Sequence, residues 1–168
     1  MDQAQCSLLQ SYIQKARRVV FFGGAGVSTE SGIPDFRSAD GLYHQKYTVP
    51  PEVILSHTYF LAHPAEFYRF YRDKMNCLAA APNPAHHTLA KWEKMGKVSA
   101  VVTQNIDGLH TKAGSRTVWE LHGSIHRNYC MDCGKPYPAE AIFDSPEPVP
   151  HCACGGVIRP DVVLYEEG

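Results

Sequence analysis

The chain has 168 residues, 44% of them apolar, with 16 basic and 17 acidic side chains and a formal net charge of -1. That length and apolar content predict one domain with a small appended module. Lys and Arg are scattered, which argues against the basic stripe a nucleic-acid backbone requires, and no run approaches the roughly 18 apolar residues of a membrane helix. Residues 1–5 do not begin a basic-then-apolar leader, so the expected location is cytoplasmic.

In chain order, Leu8, Leu9, Tyr12, Ile13 and Ala16 recur at helical spacing and predict an amphipathic helix ending near Arg17 and Arg18. The apolar run Val19-Val20-Phe21-Phe22 reads as the first strand. It feeds Gly24-Ala25-Gly26-Val27-Ser28-Thr29-Glu30-Ser31-Gly32-Ile33-Pro34-Asp35-Phe36-Arg37-Ser38. A strand ending in glycines lets backbone N–H groups approach a pyrophosphate, and a following helix would turn its positive end toward the phosphates. Alone, Gly24-x-Gly26 is equally an ordinary tight turn, because the third glycine of the dinucleotide fingerprint is missing. Residues 41–51 show no periodicity and read as a functional loop.

Pro64 suits a helix start, and Phe67, Phe70, Tyr71, Lys74 and Leu78 continue it until Pro82-Asn83-Pro84. A further helix is predicted over 85–95, ended by Gly96, then a β-branched parallel strand over 98–102 and a third strand over 117–121. Strands alternating with helices predict an α/β fold with a Rossmann-like, doubly wound parallel sheet and ligands at the carboxyl ends of its strands.

The second strand end reads Thr103-Gln104-Asn105-Ile106-Asp107-Gly108-Leu109-His110. Its polar side chains are costly to bury, and at the mouth of a parallel sheet they suit ribose hydroxyls and a carboxamide. The alternative is that Asn105 and Asp107 cap the next helix. The third strand end, Glu120-Leu121-His122-Gly123, offers His122 as the candidate base, an imidazole being the side-chain type suited to taking a proton from a hydroxyl. Among nine histidines its location, not its type, singles it out.

Cys130-x-x-Cys133 and, 18 residues later, Cys152-x-Cys154 supply four thiolates for a closed, structural, tetrahedral zinc site. Two disulfides are the alternative, disfavoured in a reducing compartment. The second knuckle is one residue short of the common form, and Gly155-Gly156 restore backbone freedom beside it. Cys6 and Cys77 stand apart as apolar fillers.

Together, the stretch 24–37, Thr103-Gln-Asn-Ile-Asp-Gly-Leu-His110, His122-Gly123, the four cysteines and Ile158-Arg-Pro-Asp-Val-Val163 occur in the order seen in sirtuins of bacterial type. The chain resembles that family over nearly its whole length. The resemblance implies an NAD-dependent protein-lysine deacylase that consumes NAD as cosubstrate, transfers the acyl group to ADP-ribose and releases nicotinamide. It implies cofactor contacts from Ala25, Gly26, Ser28, Thr29, Asp35, Phe36, Arg37, Gln104, Asn105, Ile106, Asp107 and His122. His122 would be the general base, and an acyl-lysine protein or peptide the partner. The implied division is 1–38 with 84–123 as a Rossmann half-domain, 39–83 as cofactor loop and helical segment, 124–160 as zinc module, and 161–168 as the start of the substrate-binding segment.

Family members that prefer succinyl or malonyl groups carry Tyr-x-x-Arg where this chain has Tyr68-Arg69-Phe70-Tyr71, so neutral acyl groups are expected. A complete sirtuin continues for about another half-domain, by the two-halves logic of the Rossmann fold. The expected sheet order is therefore 3-2-1 with residues 19–22 on an open edge, in a truncated form prone to self-association. A silent zinc- and peptide-binding fragment and a protein ADP-ribosyltransferase are the alternative functions.

Overall fold

The computed structural model describes residues 2–35 and 48–167. Helix α1 (Gln3–Lys15) is opened by an Asp2–Gln5 capping box, yet Leu8, Leu9 and Tyr12 on it lie exposed. Its apolar stripe is real but uncovered. Strand β1 (Val19–Gly23) follows and ends in two 3₁₀ turns, Ala25–Val27 and Thr29–Ser31. These replace the helix expected after the glycine turn. Gly32 adopts φ 81° and Pro34 has no N–H to donate and disfavours helix at Ile33, so the turns cannot propagate.

Short helices α2 (Pro51–Ile54) and α3 (His57–Ala62) lead to α4 (Pro64–Lys74), which stops four residues earlier than its apolar spacing suggests. There the Asn76 side chain accepts from the Leu78 amide and forms a turn instead. Helix α5 (Pro84–Lys94) is capped by Asn83, whose carboxamide oxygen accepts from the Ala85 and His86 amides. Strand β2 (Val98–Thr103), helix α6 (Leu109–Lys112) and strand β3 (Val118–Glu120) complete the first half.

The sheet has the order β1-β2-β3 with both pairings parallel, as expected. In it Gly23, Thr103 and Glu120 lie in one row, so the three strands end together. One face packs Val98 and Val101 against Leu89 of α5, with Val19, Phe21, Trp92 and Val118 around them. The other face carries Val20, Phe22 and Trp119, each about 60% exposed.

A second, antiparallel sheet was not foreseen. It has the order β5-β4-β6, built from β4 (Gly123–Cys130), β5 (Pro136–Tyr137) and β6 (Ile158–Val162), with helix α7 (Glu140–Phe143) beside it. The larger core lies here, where Phe60, Phe67, Tyr68 and Tyr71 pack on Ile125, Ile142 and Ile158. Tyr68 donates its hydroxyl to the Ile158 carbonyl at 2.7 Å, tying the helices to the sheet.

Candidate functional site

The aligned strand ends bring the sequence motifs together. The Gln104 amide donates to the Gly23 carbonyl and the Leu121 amide to the Thr103 carbonyl, both at 2.9 Å, so residues 24, 104 and 122 leave the sheet side by side. The Gln104 carboxamide oxygen lies 3.0 Å from where a Cβ at Gly24 would sit, so the two motifs are in close contact. Buried Ser28 donates its hydroxyl to Asp107 Oδ2 at 2.6 Å and accepts from the Asn105 carboxamide at 3.0 Å. Asp107 Oδ1 accepts from the Leu109 amide at the start of α6, whose N-cap is Gly108, so this carboxylate holds both that amide and Ser28. Asn105 does not cap α6; its amide bonds Thr103 Oγ1.

Ala25, Asp35 and Ile106 are partly buried, whereas Gly26, Thr29 and Gln104 are exposed. Phe36 and Arg37 lie outside the described residues. His122 is exposed, and its carbonyl accepts from the Val163 amide at 3.0 Å, which sets the segment after β6 beside it. Gly123 has φ 77°, and a Cβ there would lie 2.0 Å from the Asp161 carbonyl oxygen. Only glycine lets β6 approach this closely.

Sequence reading missed three groups behind the cluster. Asn83, read as part of a helix break, donates its carboxamide to the Val27 carbonyl at 2.8 Å and its amide to His86 Nδ1. His86 and His110 are both buried, with ring centroids 4.7 Å apart. Burial, then the neighbouring His86, pushes His110 down to about 4 despite the Asp107 carboxylate. His86 is also lowered by burial. The Asn-Pro pair before a helical run was a usable capping signal; the pairing of the two imidazoles was not legible.

Also missed is the anchor of the segment after β6. Arg159 donates to both carboxylate oxygens of Glu167, which also accepts from the Leu164 amide and contacts His57 Nδ1 at 2.7 Å. Burial works against ionising Glu167, but the Leu164 amide, Arg159 and His57 hold its carboxyl below the usual range. Tyr165 forms a parallel bridge to Ser56, which fixes the strand-like run 163–165 against α3.

The four cysteine sulfurs lie within 4.8 Å of one another. Cys130 and Cys154 are 3.5 Å apart and Cys133 and Cys152 3.7 Å. A tetrahedral zinc with Zn–S of about 2.3 Å spaces its sulfurs about 3.8 Å apart, whereas a disulfide requires about 2.05 Å. The donor set fits zinc. The Cys154 amide, then the Tyr137 hydroxyl, brings Cys152 down to about 6. Although the Gly156 amide favours its thiolate, Cys154 is pushed up to about 12 by the three other sulfurs. Four thiolates cannot share this volume without a cation among them. Gly155 at φ 94° makes the short Cys152-x-Cys154 turn possible.

Residues 24–168 match the Sir2 family. The chain belongs to that family. It is 59% identical over 163 residues to an NAD-dependent protein deacetylase of Clostridium acetobutylicum and 47% identical over 167 residues to one of Sulfurisphaera tokodaii. These alignments cover 95% and 97% of this chain but 66% and 65% of the relatives, just under two thirds of their length. Among solved structures, Sir2 with a p53 peptide and NAD+ superposes with TM-score 0.84 at 40% identity, covering 100% of this chain and 66% of that one. Sir2 bound to an acetylated peptide gives TM-score 0.84 at 38% identity with the same coverage. The fold of this Sir2-family chain thus matches structures in which both ligands were captured. The order of its motifs along the chain is explained by that common architecture.

Proposed function

We propose that this chain carries the nicotinamide side of the NAD site, the general base and the zinc module of a protein-lysine deacylase. One observation carries the reading: the Ser28 hydroxyl links Asn105 and Asp107 by hydrogen bonds at the same sheet end from which His122 emerges. Ala25, Gly26, Ser28 and Thr29 would border the phosphates, Gln104 and Asn105 the ribose, and Ile106 with Asp107 and Asp35 the nicotinamide. Phe36 and Arg37 would complete the site from the following loop. When bound, NAD supplies an electrophilic ribose carbon on loss of nicotinamide. The glycines at 24 and 26 leave backbone N–H groups accessible, and the exposed imidazole of His122 can take a proton from a hydroxyl. The run 163–165, held beside His122, presents backbone for pairing with an extended acyl-lysine peptide, a sequence-tolerant mode of recognition.

His122→Ala is the test. Nicotinamide release from NAD with an acetyl-lysine peptide should fall by about 10²-fold or more, the usual contribution of a general base, with bound zinc unchanged. Equal release by the variant would reject His122 as the base.

A neutral acyl group fits the helix α4 region. Arg72 is committed to the Ile142, Glu147 and Pro148 carbonyls, and Arg69 is exposed. Neither guanidinium is placed to pair with a buried acyl carboxylate. On one peptide, kcat/KM should be higher for the acetyl than for the succinyl form, and the reverse order would overturn this assignment. Four cysteines grouped as a metal donor set suit a reducing compartment, and a cytoplasmic location is the one this chemistry favours.

A further inference from the structure

We infer that His126, a residue of the zinc-module strand, positions the Asp107 turn of the proposed nicotinamide site by clamping its backbone. The inference rests on the reading of that turn given above but stands on its own contacts. His126 Nε2 lies 3.1 Å from the Asp107 carbonyl oxygen. A carbonyl can only accept, so Nε2 carries the proton and the imidazole is the donor. One residue earlier, the Ile125 amide donates to the Ile106 carbonyl at 3.0 Å. Successive residues of β4 therefore hold successive carbonyls of the loop.

The glycine beyond Asp107 fits the same account. Gly108 has φ 70°, and a Cβ there would sit 2.7 Å from His126 Cδ2 and 2.8 Å from Nε2. The imidazole lies directly over the turn, in space a side chain at 108 would occupy. On the other side of the turn, the Asp107 carboxylate is fixed by Ser28 and by the Leu109 amide. Asp107 is thus held at both its main chain and its side chain, and the main-chain hold comes from outside the Rossmann half.

The direction of β4 adds a consequence. The strand starts at Gly123, next to His122, and ends at Cys130, one of the four clustered thiols. It runs as a single element from the metal site to the candidate catalytic base, with the His126 contact between them. His126 is a positioning residue, acting on ligand through Asp107.

The donor geometry sets the test, whose first readout needs neither cofactor nor turnover. A glutamine amide reaches the place of Nε2 and can donate there, whereas an asparagine amide stops at the place of Nδ1. In the 168-residue chain, His126→Asn should accelerate hydrogen exchange of the Leu109 amide by about tenfold, the effect of losing one net hydrogen bond, and His126→Gln should restore protection. Imidazole ¹⁵N shifts of the unaltered chain should identify the neutral ring as the Nε2–H tautomer. Unchanged exchange in His126→Asn, failure of rescue by Gln, or an Nδ1–H tautomer would overturn the clamp. Nicotinamide as probe separates the two readings. A rise in its dissociation constant, read by titrating amide chemical shifts, in His126→Asn but not His126→Gln supports action through Asp107, while a clamp intact by exchange with no nicotinamide binding at all in the unaltered chain rejects the cofactor reading instead.

Discussion

At the residue scale, the buried imidazole pair makes stability depend on pH. Free histidine titrates near 6.5, whereas folded His110 is pushed down to about 4, first by burial and then by His86. Between those values the unfolded chain binds a proton that the folded chain does not. The stabilisation is complete above about pH 6.5, declines as pH falls, and is gone below about pH 4, amounting to roughly 3 kcal/mol for a shift of this size. Thermal melts from pH 7.5 to 4.5 should show a falling Tm in this window. His110→Phe and His110→Asn should both flatten that slope, and a variant slope equal to the parent's would assign it to other groups. The surroundings of His110 are Asp107, His86 and Phe21, with Cys77 also coupled to Asp107 and itself pushed up to about 11 by burial. Apart from the Asp107 carboxylate, nothing here favours a positive charge.

At the element scale, β4 and β6 depend on what their ends are tied to. Cys130 ends β4, Ile158 pairs with it at the start of β6, and the Met131 amide donates to the Val157 carbonyl. Binding of structural zinc is folding free energy, because the four thiolates must otherwise repel or be reprotonated. Elemental analysis should find one zinc per chain. Chelation should abolish the cooperative melt, read by near-ultraviolet circular dichroism through the tyrosines packed on this sheet, and full retention of the melt after metal removal would show that the antiparallel sheet stands without it. The half containing α1 and β1–β3 behaves differently. Its core around Leu89, Val98 and Val101 is small, and α5 covers one face alone.

At the scale of the whole molecule, the apolar surface is unevenly distributed. Parallel sheets are normally covered on both faces, yet Val20, Phe22 and Trp119 share an open face, Leu121 is exposed beside them, and Leu8, Leu9 and Tyr12 are exposed on α1. Strand β1 pairs only with β2 among the described residues, leaving its outer edge free. We propose that these surfaces make the 168-residue chain self-associate. Sedimentation should show the mean mass rising above 18.7 kDa with concentration, and Val20→Lys should shift the transition to higher concentration. A mass independent of concentration would reject it.

The cysteine donor set and the parallel order of β1–β3 were legible in the sequence, the first from local spacing and the second from the order of the motifs, whereas the antiparallel sheet was not. Glycines after an apolar run, four cysteines in two knuckles, and β-branched runs between helical periods each act over a few residues. Asp107 was legible as a polar group beyond a strand end, and in place of capping α6, which Gly108 does, it holds the first amide of that helix and Ser28. The departures have physical causes at the same range or longer. A proline and a left-handed glycine turned the expected helix at residues 25–31 into two 3₁₀ turns, and an asparagine turn shortened α4. What only the tertiary structure decided is which groups meet across long sequence separations: Asn83 with Val27, His86 with His110, Arg159 with Glu167 and His57, and His126 with Asp107. No local rule brings these groups together, because their meeting depends on how elements distant in sequence pack; His86 and His110 meet as rings, with His86 Nε2 and both His110 nitrogens left without a hydrogen bond. The site's residue types are properties of the sequence, and the clamp on Asp107 is a property of the packing.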